Sequence, residues 1–265
     1  MTLTHDGVKP SLPPPHEADA DGFASEVAEA CRQAATSADS LNGQLARRDL
    51  AERSSTYAPI VPRPPFHRRL FPRVERPEYA EAFRLLALNM RQVAASSSLR
   101  SILVMGALPG DGRTLTAANL GVALAGTGCR VVLMESDGRK PQLARLFGAA
   151  PEAWAAEAPL NVDRPRAAPT GVPNLAVVLP VARDGVLARM ALPPLLAALR
   201  SVADFVILDS PPCLQFADGF LLSTHTNGVL YVVRRRQQDA AAQRAVQEQL
   251  ARLGANVLGV VFNEA

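Results

Sequence analysis

The residues of this chain best suited to chemistry lie in three stretches. In the first, Pro109, Gly110, Asp111, Gly112, Arg113, Thr114 and Leu115 follow the apolar run Ile102 to Met105 and lead into the helical pattern Thr114 to Ala125. A glycine-rich turn between a strand and a helix can aim backbone N–H groups and a helix N-terminus at phosphate oxygens. Measured against the pattern G-x-x-x-x-G-K-[ST], Ala107 stands at the first Gly and Arg113 at the Lys. The second change matters more, because a lysine is a compact point charge whereas a guanidinium is wider and forks its donors. Thr114 supplies a hydroxyl of the kind that ligates Mg²⁺. The second stretch, Phe205 to Pro212, is an apolar strand that delivers Asp209 into a Pro-Pro turn, a second hard oxygen ligand in the manner of a Walker-B element. The third, Val131 to Pro141, ends in Glu135 and Asp137, which an extended backbone places on one side. Three roles stay open for that pair: positioning an attacking group, holding a metal-bound water, or capping the next helix.

These groups need a scaffold that brings strand ends together. Short apolar runs at Ile102 to Met105, Val131 to Met134, Leu175 to Leu179, Phe205 to Leu208, Val229 to Val233 and Val257 to Phe262 alternate with helical patterns. The helices are expected at Thr114 to Ala125, Gln142 to Phe147, Val186 to Arg200 and Asp239 to Leu253. This predicts an α/β fold, a doubly wound, mainly parallel sheet with ligands beyond the carboxyl ends of its strands. Tyr79, Phe83, Leu86, Met90 and Val93 mark an amphipathic helix ahead of the first strand. The proline-studded stretch 149 to 173 is expected to be a surface loop.

The preceding residues differ in kind. Nine of the 22 prolines fall before residue 77, clustered at Pro13 to Pro15 and Pro62 to Pro65, so residues 1–77 are expected to be a largely disordered tail and 78–265 the folded domain. Phe23, Val27, Ala30, Cys31 and Ala34 recur at helical spacing within the tail and are read as a marginal helix without a partner. A net charge of +3 argues for neither nucleic acid nor anionic lipid, and Arg234-Arg235-Arg236 reads as a solvated turn at a strand end. Cys31, Cys129 and Cys213 share no metal or redox spacing and are expected to be packing residues in a reducing compartment. With no apolar leader and no apolar run of spanning length, the protein is expected to be soluble and cytoplasmic.

The three stretches, in this order, resemble the deviant-Walker ATPases, most closely the bacterial tyrosine kinases (BY-kinases) of CpsD/CapB type that serve capsule and exopolysaccharide synthesis. The resemblance runs over about residues 78 to 263. It implies a P-loop NTPase fold, ATP or ADP with Mg²⁺ as cofactors, Thr114 and Asp209 as metal ligands, and catalytic roles for Arg113, Glu135 and Asp137. It further implies nucleotide contacts from Pro109 to Leu115 and from Asn263, which resembles the Asn that ends the family's last strand. Ala107, Asp137, Arg139, Pro141, Asp209, Pro211, Pro212 and Asp218 match the family pattern, whereas Arg113 replaces its Lys and Glu135 its first Asp. The helix over 79–93 resembles the family's oligomer-forming Glu-x-x-Arg-x-x-Arg element, with Glu81 and Arg84 kept and Ala87 in place of the last Arg. No tyrosine cluster follows Asn263. The resemblance therefore implies a regulator of polysaccharide assembly or export, weak or inactive as a tyrosine autokinase, recruited by the cytoplasmic tail of an inner-membrane polysaccharide co-polymerase. Two alternatives stay open, an active kinase or ATPase of the same family and a partition or septum-positioning ATPase. The latter's signature Lys has no counterpart at Leu108 to Gly110.

Overall fold

The computed structural model describes residues 20–41, 77–147, 166–179, 192–235 and 239–263. Their helices and strands, in chain order, are α1 (Ala20–Leu41), α2 (Pro77–Ser96), β1 (Ser101–Met105), α3 (Arg113–Gly126), β2 (Val131–Glu135), α4 (Leu143–Leu146), β3 (Arg166–Pro169) and β4 (Leu175–Leu179). They continue with α5 (Leu192–Val202), β5 (Phe205–Asp209), α6 (Asp218–Ser223), β6 (Gly228–Arg234), α7 (Ala240–Arg252) and β7 (Val257–Asn263). The seven strands form one sheet in the order β3-β4-β2-β5-β1-β6-β7, parallel except for β3.

The continuous apolar runs are explained by burial on both faces. In β1, β2 and β5 alternate side chains divide between two cores, Leu103, Met105, Val132, Met134, Val206 and Leu208 on one face and Ile102, Val104, Val131, Leu133, Phe205 and Ile207 on the other. The second face is covered by α2, α3 and α4 through Phe83, Met90, Leu120, Leu124 and Leu143. The first is covered by α5, α6 and α7 through Leu195, Leu199, Leu222, Val246 and Leu250. Helices on both sides of a mainly parallel sheet are the doubly wound arrangement that the pattern predicts.

Two expectations are corrected. Within the stretch expected to be a surface loop, Arg166–Pro169 pairs antiparallel with β4, Ala168 opposite Val177, as a short edge strand. Alanines and prolines give such a strand little β signal, and an edge position tolerates proline. The helix read as marginal and partnerless is α1, which packs on α5, β3 and β4 with Phe23, Val27 and Cys31 fully or almost fully buried. Arg130, just ahead of β2, places its guanidinium 4.6 Å over the Phe23 ring and pairs with Glu26. Burying an apolar stripe against a sheet supplies what propensity alone does not, so a modest amphipathic helix becomes stable by docking. The rest of 1–76 lies outside the described residues.

Cys31, Cys129 and Cys213 are buried free thiols, with burial pushing Cys31 and Cys213 up to about 12, which fits packing residues. No helix among the described residues is long and apolar enough to cross a membrane.

Candidate nucleotide-binding site

The central strand β1 sets the site. Val104 pairs with Asp209 of β5 and Met105 with Tyr231 of β6, so the turn from Gly106 to Gly112 leaves the sheet between these two neighbours. Gly110 (φ 85°) and Gly112 (φ 96°) both adopt left-handed backbone, and Gly112 is the residue from which α3 starts, with no side-chain cap on its free N–H groups. Backbone geometry and helix dipole together make this an anion cradle.

The loop is braced from inside. The buried Asp111 carboxylate accepts the Leu108 N–H at 2.8 Å through Oδ2. The Asn263 amide donates to the Asp111 carbonyl at 3.0 Å and lies where a Cβ on Gly112 would collide with it. Arg113 turns its Nε to the Ser210 carbonyl (3.0 Å) and its Nη1 to the Leu108 carbonyl (2.6 Å), tying the loop to the turn after β5. Asp111, Arg113 and Asn263 thus sit at the loop, and their side chains hydrogen-bond the backbone of the loop and of the turn after β5.

The carboxylates separate sharply. Glu135 and Asp209 are register partners at the ends of β2 and β5, and both are buried. Glu135 Oε2 accepts the N–H groups of Gln142 (2.6 Å) and Leu143 (2.8 Å), and Oε1 accepts that of Asp137 (3.3 Å). Of the three roles left open for it, Glu135 takes helix capping here; burial and the nearby Asp209 charge push its pKa well above the usual carboxylate range, against the pull of those N–H groups. Asp209 is raised to about 7 by burial, with hydrogen bonding to Thr114 and the Arg113 charge pulling it down and Asp137 pushing it up. Its Oδ1 has no hydrogen-bond partner among the described residues. Asp137 accepts the Arg139 N–H at 3.2 Å, and the Arg139 guanidinium reaches Asp218 at 2.8 Å while lying 4.1 Å over the Phe216 ring.

An orphaned buried carboxylate oxygen beside a threonine hydroxyl is a fitting half-shell for Mg²⁺, which is usually held by one or two protein oxygens together with phosphates and water. No cluster of three or more His, Cys, Asp or Glu side chains suited to a metal occurs among the described residues, so such an ion would need the ligand's own phosphates.

Sequence and structure comparisons bear on this arrangement. No protein-family model matches the chain. It is 27% identical over 211 residues to the succinoglycan biosynthesis transport protein ExoP of Rhizobium meliloti, covering 76% of this chain and 27% of that protein. It is 26% identical over 199 residues to the tyrosine-protein kinase YwqD of Bacillus subtilis, covering 69% of this chain and 80% of that one. Among solved structures, the chimerical protein CapA2B2 superposes with a TM-score of 0.60 at 28% identity, over 70% of this chain and 84% of that chain. The resemblance to the bacterial tyrosine kinases is borne out. The chain spans about a quarter of the length of ExoP, so the match is to one part of that protein.

The stretch that resembles a Glu-x-x-Arg-x-x-Arg element lies in α2. Glu81 and Arg84 form an exposed ion pair one turn apart, while Ala87 is wholly buried against the sheet-side core. An arginine at 87 would have to displace that packing, which gives a physical reason for its absence.

Sequence reasoning missed Arg234. It ends β6 opposite Asn263, and its Nη1 lies 3.6 Å from the point where a Cβ on Gly110 would sit. A run of arginines carries no signal of that placement; the length of β6 relative to β1 does.

Proposed function

We propose that this chain is a nucleotide-binding P-loop protein of BY-kinase type that regulates extracellular polysaccharide production or export, with tyrosine autokinase activity weak or absent. The observation that carries the reading is the contrast at the strand ends: Asp209 keeps an unpartnered oxygen beside Thr114, while Glu135 is spent on three backbone N–H groups and Arg113 on two carbonyls. In this reading Gly110, Gly112, Thr114 and Leu115 hold the phosphates of ATP or ADP through backbone N–H groups, and Thr114 and Asp209 hold Mg²⁺. The ion, when bound, neutralises phosphate charge. Asp137 is the remaining carboxylate on the γ-phosphate side, and Asn263 and Pro109 fix the loop. Turnover asks for a cation and metal placed together, and a misplacement of about 1 Å costs roughly a hundredfold in rate; Arg113 and Glu135 are the two displaced groups.

The partner follows from the resemblance to the BY-kinases: an inner-membrane polysaccharide co-polymerase whose cytoplasmic tail recruits this chain from the cytoplasm, with α2 as a candidate homo-oligomer contact and no role for nucleic acid. The P-loop domain occupies 78–265, with α1 docked on it as an accessory helix. Calorimetric titration with ATP and ADP, with and without Mg²⁺, followed by a turnover and phosphotyrosine assay in the presence of the partner's tail, tests the proposal. Mg²⁺-dependent binding with turnover far below that of YwqD is the expected result. Absence of nucleotide binding, or ordinary kinase turnover, overturns it.

A further inference from the structure

The loop has two left-handed glycines, and each is backed by one member of a cross-strand pair. Met105, the last residue of β1, pairs with Tyr231, so β6 overshoots β1 and carries Val232, Val233 and Arg234 alongside the loop. β7 matches that overshoot, with Arg234 opposite Asn263. Asn263 lies against Gly112 and Arg234 against Gly110. On the opposite side of β1, β5 delivers Asp209. The mouth of the loop is therefore flanked by a carboxylate on one side and a guanidinium on the other.

Arg113, the guanidinium on the loop itself, gives Nε and Nη1 to the Ser210 and Leu108 carbonyls. The nearest negative side chain inside the loop, Asp111, is buried and accepts the Leu108 N–H. Arg234 is half-buried at the rim. A planar fork at that point can meet two phosphate oxygens at once, which a point charge cannot.

We infer that Arg234 is the phosphate-binding cation of this site, taking over from the substituted P-loop lysine the contact with the terminal phosphates of a nucleoside di- or triphosphate. The inference rests on the nucleotide-binding reading above and adds the residue that discriminates by phosphate number. Its ligand class is a polyphosphate chain seated on the loop, with the third phosphate nearest Gly110 and Arg234. A cation that acts on the terminal phosphates contributes most to a triphosphate, less to a diphosphate and nothing to a nucleoside.

The test is calorimetric titration of the full chain with MgATP, MgADP and adenosine, in wild type, Arg234→Ala, Arg234→Gln and Arg234→Lys, with the melting temperature of each ligand-free variant recorded. Both neutral variants are expected to weaken MgATP about tenfold or more, the scale of one lost charged hydrogen bond. They should weaken MgADP less and leave adenosine and the melting temperature unchanged, with Arg234→Lys in between. Unchanged MgATP affinity in either folded neutral variant overturns the inference while leaving the nucleotide reading intact. Equal losses for ATP and adenosine overturn it in favour of a structural role. A wild type that binds none of the three overturns the nucleotide reading and this inference with it.

Discussion

Glu135 and Asp209 face each other across adjacent strands, yet the surroundings make them different objects. Glu135 ends β2 ahead of a segment that folds straight back, and its extra methylene lets one carboxylate accept the N–H groups of Gln142, Leu143 and Asp137. Asp209 ends β5 ahead of Ser210-Pro211-Pro212, where the prolines have no N–H to offer, and one oxygen has no partner among the described residues. Position on the sheet alone therefore does not make a carboxylate functional. In the proposed reading, what separates a structural acid from a binding one is whether the following turn supplies donors.

That contrast predicts a division of effects between the two residues. The largest belongs to Asp209→Asn, which should weaken Mg²⁺-dependent nucleotide binding on the order of a hundredfold or more in a Mg²⁺-titrated binding assay while leaving the melting temperature equal to or above wild type. Comparable loss in Glu135→Gln would erase the distinction. Glu135→Ala should instead cost about 2 kcal/mol of folding stability by leaving backbone N–H groups unpaired, measured by urea denaturation. Glu135→Asp should recover only part, since the shorter side chain falls back from Gln142 and Leu143.

The pH profile sharpens the same point. Burial raises Asp209 from 3.8 to about 7, so the folded chain holds that proton longer than the unfolded chain does. Stability should fall as pH rises from about 4 to about 7 and then level off. Glu135 shifts in the same direction, so Asp209→Asn should flatten the slope without abolishing it. Metal binding requires the ionised form. Mg²⁺-dependent affinity should therefore climb through the upper part of the window in which stability declines, and a flat binding profile from pH 5 to 8 would count against Asp209 as the ligand. The smallest effect is expected from Arg139→Ala. Its partly exposed pair with Asp218 and its stacking on Phe216 together contribute about 1 kcal/mol or less, read as a slight loss of melting temperature.

Much of this was legible in the sequence because the relevant signals are local. Apolar runs buried on both faces reveal parallel strands, and glycine spacing before a helix reveals the loop. Asp209 was legible for the same reason, as one acid ending one apolar run. What was not legible depends on registers and partners. β3 is too short and too rich in alanine and proline to stand out. The amphipathic pattern of α1 shows an apolar stripe but not the α5 and β4 surface that receives it. The role of Glu135 turns on where residues 142 and 143 fold back. That of Arg234 turns on β6 running past the end of β1, which no spacing within a single segment encodes.

The docking of α1 has a consequence for how the chain is made. Phe23, Val27 and Cys31 leave the ribosome well before the surface that buries them, which includes Leu195 and Leu199 of α5. At about 5–20 residues per second, the helix waits on the order of ten seconds before its seat exists. During that interval its apolar stripe is exposed to chaperones or to neighbouring nascent chains. The Arg130 clasp on Phe23 and Glu26 becomes available only part-way through, so α1 is made before α5 yet settles only after it.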